Sequence, residues 1–144
     1  MKKIAFIFIF LLCTSCTITR NVEPVQGQIR VDKIYVKDNP DVHMEGLVDE
    51  IVSQLNTLGF QSSKYSESKP IDAVYHLEYT ANWAWDMAMY LTFFDAKLYE
   101  NDKVIGSVLY DARAGGGNMG KFGPTAEKIE PLLRELLQNA QPQG

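Results

Sequence analysis

Hydrophobic and polar positions predict a strand and then a helix in the first part of the chain. In residues 29–36 (IRVDKIYV), successive side chains fall into two sets, one for each face of a strand, and the segment is rich in β-branched residues, as strands are. The next segment, 44–60, places apolar residues at helical spacing: Leu47, Val48, Ile51, Val52, Leu55 and Leu58. Gly59 then stands where the end of a helix favours a residue with positive φ.

The residue pattern in the central part of the chain predicts four further strands. In order, these cover residues 60–66, 73–84, 88–100 and 103–113. The last three form a meander, and Asn101 and Asp102 suit the tight turn between the final pair because both residue types tolerate left-handed backbone.

A second helix closes the pattern. Its apolar stripe consists of Ile129, Leu132, Leu133, Leu136 and Leu137. Proline in a helix interior removes a hydrogen bond, so Pro131 leaves two alternatives. Either the helix runs from Thr125 and is kinked, or it starts near Glu130.

The resulting order, β-α-β-β-β-β-α, predicts an α+β fold. Two amphipathic helices and one mixed sheet with an antiparallel meander indicate a two-layer sandwich with both helices on one face. The opposite face of the sheet is then wet or meets a partner.

The first sixteen residues, MKKIAFIFIFLLCTSC, have the layout of an export signal. Their apolar run holds about ten residues, whereas a membrane-spanning helix needs about twenty. Thr14, Ser15 and Cys16 match the end of a bacterial lipobox, in which the cysteine becomes diacylated, although Cys13 stands where leucine is usual. The alternative is an ordinary secretory peptide. By analogy with lipoprotein sorting, Thr17 after the cysteine predicts an outer-membrane protein that faces the periplasm.

These features divide the chain into four parts. They are a signal peptide (1–15), a lipidated cysteine with a flexible linker (16–28), a single α+β domain (29–138) and a disordered tail (139–144). Loss of Lys2 and Lys3 takes the formal net charge from −4 to −6, which disfavours nucleic acid and anionic headgroups as partners. Cys13 leaves with the signal and Cys16 carries lipid, so the mature chain has no disulfide and depends on its core.

A glycine-rich stretch at 115–121 (GGGNMGK) has the spacing of a phosphate-binding loop, G-x-x-x-x-G-K. Such a loop needs Ser or Thr after the lysine and a helix directly behind it. Phe122 follows the lysine, no helix begins there, and an exported protein meets little ATP. We therefore expect no nucleotide. The loop that contains Gly115, Gly116 and Gly117 is either a flexible crossover or a mobile binding loop.

Aromatic residues crowd the stretch 78–100. Regular alternation places Tyr75, Leu77, Tyr79, Ala81, Trp83 and Trp85 on one face of the first strand of this hairpin, which favours burial beneath the helices. Both tryptophans also lie near the tip of the hairpin, beyond the expected reach of a helix, which favours an exposed contact site. A sugar-stacking platform is a variant of that second interpretation.

The sequence contains no recognisable catalytic motif. A zinc site needs at least three ligands, and the chain has two histidines without HExxH, a paired Cys motif or a G-x-S-x-G elbow. Asp86, Asp95 and Asp111 could act in acid–base chemistry, but Arg113 lies two residues from Asp111, a spacing that suits an ion pair equally well. We assign no catalytic residue, metal or cofactor.

Three segments carry a resemblance: KDNP before the first helix, TANW-x-WD-x-AMYLT in the aromatic hairpin, and DAR-x-GGG in the glycine loop. Together they resemble an uncharacterised family of small proteobacterial lipoproteins over roughly residues 31–137. The resemblance implies lipidation at Cys16 and an envelope location. It implies no catalytic residue, because the family has no established activity.

These observations favour a non-enzymatic outer-membrane lipoprotein that binds another envelope protein or a glycan through the hairpin tip and the glycine loop. The candidate surface consists of Tyr79, Trp83, Trp85, Asp86, Tyr90, Asp111, Arg113, Gly115, Gly116 and Gly117. The alternative is a small glycan-active or hydrolytic enzyme, which requires Asp86 and Asp111 to line one cleft. A purely structural role at the membrane surface is a third hypothesis.

Overall fold

The computed structural model describes residues 17–143. The strands are β1 (Thr19–Glu23), β2 (Ile29–Val31), β3 (Lys33–Lys37), β4 (Gln61–Tyr65), β5 (Tyr75–Asp86), β6 (Ala88–Glu100), β7 (Lys103–Asp111) and β8 (Ala140–Pro142). The helices are α1 (Leu47–Thr57) and α2 (Thr125–Leu136), with a 3₁₀ turn at Met119–Lys121. The expected signal peptide and Cys16 lie outside the described residues.

Six strands form one mixed sheet in the order β1-β7-β6-β5-β3-β4. Strand β3 runs parallel to both β4 and β5, whereas the pairs β5–β6, β6–β7 and β7–β1 are antiparallel. The two helices contact each other on one face, where the Gln54 amide nitrogen donates to the Ala126 carbonyl at 3.0 Å. The α+β sandwich with both helices on one face is therefore confirmed.

The core lies between the sheet and the helices. Alternate residues of the strands supply one half of it, for example Ile34, Leu77, Phe94 and Tyr110, and the apolar stripes of the helices supply the other, for example Ile51, Leu55, Ile129 and Leu133. All are almost completely buried. Because each such side chain contributes about 1.5–3 kcal/mol on burial, this one core is the main source of stability in a domain without disulfides.

The flexible linker predicted at 16–28 is wrong from Thr19 onward. Strand β1 pairs antiparallel with β7 from Thr19 opposite Asp111 to Glu23 opposite Ser107. Val25 is buried, and its backbone N–H donates to the Leu136 carbonyl at 3.0 Å. Hydrophobic periodicity does not reveal this strand because it lies at the edge of the sheet, where polar side chains stay in water and backbone hydrogen bonds provide the pairing.

The observed structure also differs from the prediction at both ends of the domain. Asp32 divides the expected first strand, because its carboxylate accepts the Lys33 N–H at 2.7 Å and interrupts the extended chain. The first part, β2, pairs in parallel with β8, so the expected disordered tail contains a short strand. The observed order therefore has three more strands than the predicted one.

Local signals at turns and helix ends were more reliable. Asn101 has φ of 55° in the β6–β7 turn and Gly59 has φ of 96° after α1, as expected. Helix α2 begins at Thr125, so the alternative start near Glu130 is wrong and Pro131 lies inside the helix.

Gly106 allows β1 to lie close to β7 and α2. A Cβ at this position would lie 2.7 Å from Leu136 Cδ1 and 3.0 Å from the Glu23 carbonyl oxygen. We predict that Gly106→Ala lowers the free energy of unfolding by about 1–3 kcal/mol in urea titrations, because the edge strand must shift. Gly117→Ala is the matched control, since nothing lies within 4 Å of its Cβ. Equal losses in both variants would contradict the close packing of β1.

Candidate functional site

The hairpin β5–β6 extends beyond every neighbouring strand. Its ladder continues to Asp86 opposite Ala88, whereas the ladder with β7 ends at Phe93 opposite Asp111. On its other side, β3 pairs with β5 only as far as Leu77. The end of the hairpin is therefore a two-stranded ribbon that projects from the sheet.

Burial along β5 falls as the strand leaves the helix layer. Tyr79 is buried and its ring stacks on Phe94, with centroids 6.4 Å apart. Trp83 is half-buried, and its indole N–H donates to the Thr125 hydroxyl at 3.0 Å, at the first residue of α2. Trp85 lies past that helix end and is 72% exposed.

The two open interpretations of the tryptophans therefore apply to one residue each. Trp83 packs against the core, and Trp85 is a surface residue. The prediction that the helices bury one face of β5 is correct only up to the position where α2 begins. Tyr79, proposed for the contact surface, is a core residue instead, because it lies well within the part of β5 that the helices cover.

A β-bulge marks the base of the projecting ribbon. Asn82 pairs with Phe93 and Trp83 with Leu91, which leaves Thr92 as an extra residue in β6. The Thr92 hydroxyl donates to the Asn82 carbonyl at 2.9 Å. Because a bulge increases the local twist of a strand pair, the ribbon turns away from the plane of the sheet here.

The glycine-rich loop folds back onto the hairpin tip. The side chain of Lys121 is buried, only 5% of the residue is exposed, and its ammonium lies 2.6 Å from the Asp86 carboxylate and donates to the Gly116 carbonyl at 2.5 Å. The Tyr90 and Phe122 rings each lie 5.1 Å from the same nitrogen. The lysine that resembles a phosphate-binding residue thus fastens the loop to the hairpin.

A cleft of about 510 Å³ lies between the loop and the hairpin tip. Its walls are largely apolar and consist of Asp86, Met87, Ala88, Gly116, Gly117, Met119, Lys121 and Phe122. Two of the three predicted loop glycines thus line it, whereas Gly115 is buried behind the wall, where a Cβ would lie 2.8 Å from the Ala112 carbonyl oxygen.

Four exposed apolar side chains surround this cleft or lie beside it on the ribbon. Met87 is 89% exposed, Met119 75%, Trp85 72% and Met89 53%, and we call these four residues the apolar tip. Met87 also has φ of 62°, a left-handed conformation that costs about 1–2 kcal/mol in a residue with a Cβ. A large apolar residue that is both strained and exposed suggests a functional surface rather than a favourable turn.

The second predicted cluster lies elsewhere. The Asp111 carboxylate accepts from the Arg113 guanidinium at 2.9 Å, which lowers the pKa of Asp111, and Arg113 stacks over Phe93 at 4.5 Å. Asp111 is level with Phe93 and thus with Asn82, four residues before Asp86, or about 13 Å along the strand. Asp86 and Asp111 therefore do not line one cleft, as the enzymatic alternative required.

The structure brings some of the predicted surface residues together. Asp86, Gly116 and Gly117 line the cleft, Trp85 is exposed beside it on the ribbon, and Tyr90 is half-buried with its ring edge against Phe122 at 5.4 Å. Met119 and the role of Lys121 were missed. An apolar residue in a glycine-rich loop is a weak signal for the first, and no sequence signal pairs residues 86 and 121.

Among residues 17–143 no three His, Cys, Asp or Glu side chains are arranged to hold a metal ion. No helix in the same part of the chain is long and apolar enough to span a membrane.

Fold and site together define a two-layer α+β protein with one sheet face that carries no helix and an apolar hairpin end. Two solved structures of PelC from Paraburkholderia phytofirmans, both dodecamers, share this fold at 15% sequence identity. One, a variant, gives a TM-score of 0.55 over 85% of this chain and 96% of that one. The other gives 0.51 over 87% and 98%. No family model and no curated protein matches the sequence. The likeness therefore concerns the fold.

We predict that Asp86→Asn lowers the free energy of unfolding by about 1–3 kcal/mol, because it leaves the buried Lys121 ammonium without its carboxylate. Urea titration measures the change. Asp111→Asn is the matched control and should cost much less, because Arg113 is largely exposed to water. Similar losses in the two variants would show that the Lys121 ion pair does not hold the loop.

Proposed function

We propose that the protein is a non-enzymatic cell-envelope lipoprotein, anchored in the outer membrane through Cys16 and facing the periplasm. Its domain binds another envelope component through the apolar tip and the adjoining glycine loop. The observation that carries this proposal is the cleft of about 510 Å³ between the two, which exposed Met87 and Met119 line, with exposed Trp85 and Met89 beside it on the ribbon.

The chemistry of the tip supports binding. Tryptophan is enriched where interfaces concentrate their binding energy, and methionine adapts its shape to varied apolar partners. The Lys121–Asp86 ion pair holds the loop against the hairpin before any partner arrives. Such preorganisation lowers the entropic cost of binding. The lipobox at Cys16 and the resemblance to lipoproteins support the envelope location.

The alternative, a small glycan-active or hydrolytic enzyme, receives less support from the geometry. Asp86 and Asp111 each bind a different cation, and the register separates them. A two-carboxylate mechanism needs both groups close to one substrate bond.

Photo-crosslinking in cells tests the proposed surface. A benzophenone amino acid at position 85 should capture an envelope component, because the Trp85 side chain is exposed within the proposed surface. Position 71 is the matched control, since Ile71 is fully exposed and lies four residues before β5, at the end of that strand away from the tip. Labelled palmitate should enter the same chains and be lost in Cys16→Ser. Equal capture at the two positions, or none at position 85, would contradict the proposal.

Self-association is a second candidate. The two solved structures of PelC described above are dodecamers, and the sheet of this chain has one face without helices. We propose that copies of the mature lipoprotein assemble in the membrane plane. Native mass spectrometry of the detergent-solubilised protein should give multiples of the mass of one chain. A single-chain mass across concentrations would contradict assembly.

A further inference from the structure

The described chain begins at the same end of the molecule as the apolar tip. In β1, Thr19 lies opposite Asp111, the last residue of β7, and the strand then runs away from the tip. Asp111 is in turn level with Phe93, five residues from the hairpin end at Ala88. Thr17 and Ile18 therefore lie at the end of the sheet from which the hairpin projects.

Contacts of Ile18 place the chain more closely. Its side chain would lie 3.7 Å from a Cβ at Gly120 and 3.5 Å from one at Gly115, so it packs beneath the loop that carries Met119. Only Thr17 separates Ile18 from Cys16, which limits the distance between the Cα atoms of these two residues to about 7 Å. The lipid attachment site is thus tied to the loop that forms one wall of the cleft.

Charges near the tip do not oppose contact with lipid. The Lys121 ammonium is buried and paired with Asp86, so the pair adds no net charge to this surface. The opposite end of the sheet has a different character, because its β6–β7 turn carries Glu100, the almost fully exposed Asp102 and Lys103.

We propose that the partner of the apolar tip is the lipid bilayer that holds the anchor. Trp85, Met87, Met89 and Met119 enter the interfacial region of the leaflet, and the domain stands on the membrane in one orientation. This inference rests on the proposed function, because it needs acylation at Cys16 and an interaction surface at the tip.

Two physical arguments favour lipid over a protein partner. Acyl chains on Cys16 hold this end of the domain against the headgroups, which makes the bilayer the apolar phase with the highest effective concentration. Indole rings prefer the membrane interface, where one edge of the ring is wet and the rest is apolar. A protein partner would have to enter between the tip and the bilayer.

Depth-dependent fluorescence quenching tests the inference on the full acylated protein. The chain has two tryptophans, so Trp83→Phe leaves Trp85 as the only one. The protein is reconstituted into vesicles of phosphatidylethanolamine with a minority of phosphatidylglycerol, and nitroxide-labelled phosphatidylcholine is the quencher. The matched control carries Ile71→Trp together with Trp83→Phe and Trp85→Phe. We expect several-fold stronger quenching of Trp85 than of the tryptophan at position 71.

A second reporter avoids any change at Trp83. Met87→Cys and Ile71→Cys are labelled with an environment-sensitive dye in the otherwise unchanged acylated chain, and the same quencher is applied. Stronger quenching at position 87 supports the inference, whereas equal quenching at the two positions overturns it.

Crosslinking separates this inference from the proposed function. Capture of lipid at position 85, together with quenching, supports both. Capture of a protein or glycan without quenching overturns the lipid partner and leaves the interaction module intact. If neither capture nor quenching is observed at the tip, both the lipid partner and the proposed function are overturned.

Discussion

The structure depends on a mismatch of length between its two layers. Strand β5 and helix α2 have twelve residues each, but a strand of that length spans about 40 Å and a helix about 18 Å. A helix layer therefore cannot cover the whole hairpin. The covered part becomes the core, and the uncovered part must pair with a loop, meet a partner or expose apolar side chains to water.

One ion pair, between the buried Lys121 and the half-exposed Asp86, determines how the uncovered part is organised. Lys121 joins the tip of the hairpin to the loop through Asp86 and Gly116. A buried ammonium is costly unless a carboxylate and further acceptors surround it, and here both are present along with two aromatic rings. The glycines let the backbone approach the lysine, and the lysine of a loop that looks like a phosphate-binding loop pairs with the Asp86 carboxylate of the hairpin.

Prediction from the sequence succeeded where short-range periodicity determines structure. The helices, the long hairpin and the turn at Asn101 follow from the spacing of apolar residues and from turn chemistry. It failed for β1 and β8, which are held by backbone pairing with distant residues and carry few apolar side chains. For the same reason the tryptophans could not be assigned: their burial depends on where α2 begins, and only the tertiary structure places Thr125 beside Trp83.

A tip that enters the leaflet would also determine what the rest of the domain presents to the periplasm. The strands would then point towards the membrane, and the uncovered face of the sheet would stand sideways. That face carries Glu78 opposite Lys97 and the half-exposed ring of Tyr99, which stacks on the buried His76 at 4.7 Å, so it is polar and aromatic, unlike the tip. Copies anchored at the same end would meet through lateral faces such as this one. Lipid contact and self-association would therefore use different surfaces, and either could hold without the other.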